Sequence, residues 1–149
     1  MNGKLSRSIF WALVGVFIVL VGLIITPRPL FPGWIGSGLF LLIPGALFLS
    51  LGITFLVLTI KGKTKGISRK FQLLTGASAI GIPVSILLHN AIYGLFIHFF
   101  GAEFWNGGDE PVFFIMAIIV CPLAFLVGAI GSIILAIKNK QVEQSSQSI

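Results

Sequence analysis

Within its four long apolar runs, at residues 9–26, 39–60, 73–100 and 111–137, this 149-residue chain has no aspartate, glutamate, lysine or arginine. Proton-coupled pumps and transporters keep an ionisable group at mid-membrane, so the absence argues against that class. The single cysteine, Cys121, lies inside the fourth run; it leaves no intramolecular disulfide and no Cys-x-x-Cys redox or metal motif. There is no Asn-x-Ser/Thr glycosylation sequon. Charged residues make up only 9% of the chain, against about 25% in a soluble domain, and 56% of it is hydrophobic, which excludes a soluble globular fold.

What remains is a chain built to cross a bilayer. A span of roughly 30 Å of hydrocarbon takes about 20 helical residues, and each run is close to that length or longer. The runs lack the period-two alternation of a barrel, and lipid offers no partners to open backbone, so the expected fold is all-α: one integral membrane four-helix bundle over residues 1–140. Residues 141–149 are polar and are expected to form a short disordered tail. Lys4 and Arg7 precede the first span, Lys61, Lys63, Lys65, Arg69 and Lys70 fill the second break, and Lys138 and Lys140 follow the fourth. The opposite breaks hold Arg28 on one hand and Glu103, Asp109 and Glu110 on the other. The positive-inside rule therefore predicts a multi-pass protein of the cell membrane with both termini cytoplasmic. Trp11, Trp34 and Trp105 fall near span ends, as interfacial aromatics do. The first run is too long for a cleaved signal and no small-x-small site closes it.

The net charge of +6 does not point to nucleic acid, because the cations sit at membrane edges and not on a soluble face. Anionic headgroups are the expected contacts of Lys61, Lys63, Lys65, Arg69 and Lys70, at about 1 kcal/mol each. Gly62-Lys63-Thr64 looks like the end of a phosphate-binding loop, yet Val57 stands where its first glycine belongs and no strand precedes it.

Membrane helices associate by close backbone approach, which small residues permit. Ala124, Gly128, Ser132 and Ala136 form such a face in the fourth span; Ala46, Ser50 and Thr54 offer one in the second, and Gly15 and Gly22 in the first. Pro44, Pro83 and Pro122 each remove a backbone bond inside a span and release the carbonyls of Phe40, Ala79 and Ile118. Asp109 or Glu110 is expected to cap the fourth helix, with Pro111 in its first turn. The excess length of the last two spans predicts a helical hairpin rising about two turns around Gly107-Gly108. Pro27, Pro29 and Pro32 stiffen the first break.

Candidate chemistry is confined to the third span. About His89, Ser78 and Ser85 fall roughly 20° and 40° to one side and Tyr93 roughly 40° to the other, making a polar face, with Asn90 roughly 100° away. The face serves either as a hydrogen-bond hub between helices or as the lining of a binding cavity. Ser85 and His89 lie one turn apart, but the spans supply no acid to orient the imidazole. Both histidines belong to one helix, which excludes bis-histidine haem within one chain, and no cofactor is expected. His98, Glu103, Asp109 and Glu110 have metal-ligand chemistry without a recognised spacing, a weak candidate only.

Small multidrug transporters need a buried glutamate in the first span, tetraspanins and claudins need extracellular cysteine patterns, and quinone-linked thiol oxidases need a Cys-x-x-Cys; none is present. The sequence thus leads to a non-enzymatic membrane subunit that binds another membrane protein or itself. Its alternative is an oligomeric channel or transporter for a small solute or ion along the polar face of the third helix.

Overall fold

The computed structural model describes residues 3–26 and 38–147, and among these the secondary structure is entirely helical. Helix α1 is Lys4–Ile25, α2 Gly38–Lys61 and α3 Gly66–Phe100. A short 3-10 turn, Ala102–Trp105, leads to α4, Pro111–Ile115, which passes through a π-helical turn, Met116–Val120, into α5, Cys121–Gln147. Four of these rods are long and apolar enough to cross a membrane. Arg28, Trp34, Pro27, Pro29 and Pro32 lie outside the described residues.

The helix ends have local causes. Thr26 closes α1 by directing both its amide and its hydroxyl to the Gly22 carbonyl, at 3.0 and 2.6 Å. Gly101, at φ 85°, turns the chain out of α3 while its amide still bonds the Ile97 carbonyl. Asn106 and Gly107 then take positive φ and reverse the chain. Two boundaries differ from those that hydropathy predicts. Helix α3 begins at Gly66, not near residue 73, and α5 continues to Gln147, through most of the tail expected to be disordered. Hydropathy marks where apolar side chains stop, whereas the backbone ladder runs on through lysine, glutamine and glutamate, all good helix formers.

Successive rods pack antiparallel. Phe10 meets Phe55 and Phe17 meets Phe48 between α1 and α2, at 5.7 and 6.1 Å between ring centroids. Between α2 and α3, Gly52 approaches Ala79 and Gly76 approaches Leu56. Gly81 faces Cys121, and Gly128 faces Thr75 and Phe71, between α3 and α5. The core is an aromatic column of Phe10, Phe17, Phe48, Phe55 and Phe125. Its rings recur seven residues apart on α1 and on α2, the spacing of one helical face.

Within one chain, the small residues of the first two helices take no part in the α1–α2 contact. Gly15 and Gly22 are exposed, and a Cβ added at either would meet nothing within 4 Å; Ala46, Ser50 and Thr54 are exposed too. Large rings fill the α1–α2 contact instead, and small residues act where α3 meets its neighbours. On α5, Gly128 and Ser132 are buried and Ala124 and Ala136 half-buried.

The arrangement is open along one seam. Helix α1 packs on α2, α2 on α3 and α3 on α5, but α1 and α5 have no comparable contact among the described residues and meet at Phe17 and Phe125, 4.4 Å apart. On both sides of those rings the two helices leave space between them, lined from Val14 to Ile25 on α1 and from Pro122 to Ile133 on α5. Here the amide of Cys121 bonds the Met116 carbonyl, one residue further back than in an α-helix. The wide turn sits immediately before Pro122, where the ladder is already broken by a missing N–H.

Candidate functional site

The site grows from the start of α4. Glu110 caps this helix: its Oε1 accepts the Val112 amide at 2.8 Å and its Oε2 the Phe113 amide at 2.9 Å. Pro111 occupies the first helical position, where a missing N–H costs nothing. Asp109 Oδ1 accepts the Glu110 amide at 2.8 Å, which leaves Oδ2 pointing toward α3. The chain between α3 and α4 does not rise as a hairpin with two helical arms. Helix α3 runs on to Phe100 while residues 101–110 return beside its last turns, so that α4 starts level with His89.

That return delivers two acids to the imidazole. His89 Nδ1 lies 3.1 Å from the Glu110 carbonyl oxygen and 3.3 Å from Glu110 Oε2, and Nε2 lies 3.4 Å from Asp109 Oδ2. Both ring nitrogens therefore face acceptors; a ring carrying two protons donates at each end, and a neutral ring at one. The Phe114 ring stands 5.5 Å from the imidazole. The acids differ in setting: the Glu110 side chain is 6% exposed and that of Asp109 55%. Burial alone pushes the Glu110 carboxyl up, but the Val112 and Phe113 amides and the His89 ring outweigh it and hold the carboxyl below its ordinary value. Above the cluster Tyr93 stacks on Trp105, 5.9 Å between centroids, and Phe96 packs on Phe104.

Below it lies a cavity of about 1070 Å³, lined on α1 by residues from Val14 to Ile25 and on α5 by residues from Pro122 to Ile133. Pro83, Ile86, His89 and Asn90 contribute from α3, and Gly45 and Phe48 from α2. His89 and Asn90 are the lining residues whose side chains carry nitrogen or oxygen. The space opens sideways between α1 and α5, past Ile18, Ile24 and Ile130, all well exposed.

The structure gathers some of the sequence-derived candidates and separates others. Ser78 and Ser85 are buried on the His89 side of α3, and both His89 ring nitrogens face Glu110 and Asp109 rather than Ser85, so no serine–histidine–acid relay forms. Asn90 uses its amide on the Ile86 carbonyl, 2.8 Å away. His98 packs against Phe99, away from the acids, and no metal-holding group of three ligands occurs among the described residues. Lys61, Lys63, Lys65 and Lys70 are exposed, whereas Arg69 is half-buried and reaches back to the Ile60 carbonyl at 3.5 Å. The apolar spans by themselves offer His89 no charged companion. Its companions come from the adjoining loop, and the cap signal Asp-Glu-Pro marks where the fourth helical rod begins.

Fold and site together define an all-helical protein of four membrane-length apolar rods, with an acid–histidine cluster at one end of a side-opening cavity. Comparison with known protein families, with curated proteins and with solved structures finds no match to this chain.

Proposed function

We propose that this protein crosses a lipid bilayer four times, with both termini and residues 61–70 in the cytoplasm, and acts as a non-enzymatic binding subunit for an apolar molecule that enters from the bilayer. The orientation rests on the distribution of cations. The binding reading rests on one observation, the cavity of about 1070 Å³ that opens sideways between α1 and α5. Its volume is that of a ligand site, at or above the usual range of about 300–1,000 Å³. The lining favours an apolar ligand over an ion, because two polar side chains at one end do not replace a hydration shell along a path.

The test uses a photoactivatable hydrocarbon with the protein in phosphatidylcholine nanodiscs, and maps the labelled residues. Label on both walls of the seam, at residues such as Ile18 and Ile130, together with loss of that label in Gly45→Leu, supports the reading. Gly45 lines the cavity and has no atom within 4 Å of an added Cβ, so the larger side chain fills space without a clash at its root. Label spread evenly over all lipid-facing helix surfaces, unchanged in Gly45→Leu, overturns it.

Self-assembly is the second reading, supported by the outward face of Ala46, Ser50 and Thr54 on α2, small residues that permit close helix approach. Light scattering of the detergent-solubilised protein, with Ser50→Leu as the disrupting variant, separates a dimer from a monomer.

A further inference from the structure

The geometry points to a cationic amphiphile, an ammonium group on a long alkyl chain, as the molecule that the cavity and the His89–Asp109–Glu110 cluster receive; this rests on the cavity being a binding site, as proposed above. The tail has its place along α1 from Val14 to Ile25, a run of roughly 17 Å walled by aliphatic and aromatic side chains. The head has its place where that run ends. His89 lines the cavity, and Asp109 stands on the solvent side of the same ring.

Charge selects the head. Two carboxylates face a single imidazole, so the cluster is negative whether or not the ring carries its second proton. Glu110 is committed to the Val112 and Phe113 amides and to His89, and is nearly inaccessible. Asp109 is half exposed, and an ionised carboxylate has about four acceptor sites, of which the Glu110 amide and His89 take one each. Among the described residues at this end, Glu103, Asp109 and Glu110 have no lysine or arginine beside them, and Arg28 lies outside the described residues. The Phe114 ring, which lines the cavity beside His89, adds an aromatic surface of the kind that attracts ammonium groups. An anionic head is repelled here, and a hydroxyl gains a hydrogen bond without the Coulomb attraction.

Three compounds that share one tail and differ in head charge make the test: hexadecyltrimethylammonium, hexadecanol and hexadecyl sulfate. Each competes with the photoactivatable hydrocarbon for the full-length protein in phosphatidylcholine nanodiscs, below its micelle-forming concentration. The ammonium compound should protect the seam at a concentration about fivefold lower than the alcohol, and the sulfate should need more than either. Asp109→Asn should bring the ammonium compound level with the alcohol measured on the same variant, while Asp109→Glu retains the preference. Equal protection by all three heads, or an ammonium preference that survives Asp109→Asn, overturns the cationic head and leaves the apolar site standing. Absence of protection by any of the three removes the binding site itself and this inference with it.

Discussion

Single residues carry opposite loads on the same helix face. A Cβ at Gly128 would lie 2.6 Å from Thr75 Oγ1 and 2.7 Å from the Thr75 amide nitrogen, backbone that cannot yield without moving α3. Gly128→Ala should therefore lower stability by about 1–3 kcal/mol, the usual cost of overpacking. One turn further, Ser132 is buried and its hydroxyl has no partner among the described residues. Ser132→Ala should be neutral or stabilising, by up to about 1 kcal/mol, since it removes an unpaired polar group. Thermal melts of both variants in one detergent check the two signs. Glu110 links stability to acidity. Its folded carboxyl titrates below the ordinary value of 4.5, so its contribution is fully present above that pH and is lost as pH falls through the lower folded value. The melting temperature should drop on acidification below about pH 4.5, and Glu110→Gln should flatten that drop; an unchanged acid limb in the variant would assign it to other carboxylates.

Among elements, α3 is the axis against which α2 and α5 are both set. Its register against α5 is open to a direct chemical check. An added Cβ at Gly81 would stand 3.8 Å from the Cβ of Cys121, the mean separation in a disulfide. Gly81→Cys should form an intramolecular bridge under mild oxidation, seen as faster migration on a non-reducing gel, with Cys121→Ser abolishing it. A register shifted by one residue would rotate position 81 by about 100° and leave both thiols free. The existence of four helices was legible in the sequence, because absent charge over about twenty residues has few other meanings. So were an acidic cap, expected of Asp109 or Glu110 and made by Glu110, and Pro111 in the first turn, which follow from the needs of a helix start. The contact faces of α1 and α2 were not legible. Gly15 and Ala46 look like close-approach residues, but Phe10, Phe17, Phe48 and Phe55 claim the interface, and only the three-dimensional neighbour decides which stripe turns inward. The acid–histidine cluster escaped for a related reason: Asp109 and Glu110 are far from His89 along the chain and reach it through the path of the connecting loop.

At the scale of the molecule, the proposed orientation rests on charge alone and is tested by labelling. In a Cys121→Ser background, Ser68→Cys should react with a membrane-impermeant maleimide only after cells are opened, and Glu103→Cys in intact cells. Reaction of Ser68→Cys from outside would invert the topology and place the acid–histidine cluster on the cytoplasmic side. The open seam has a further consequence, for the order in which the protein is made. Each strong pairing joins rods that are neighbours along the chain, α1 with α2, α2 with α3 and α3 with α5. No helix has to wait for a distant one, so every native pair is available as soon as its second member leaves the ribosome, and the last helix to emerge completes a row instead of closing a ring. What the last helix adds to the α1–α2 pair already formed is the Phe125 ring, which seats on Phe17 and Phe48.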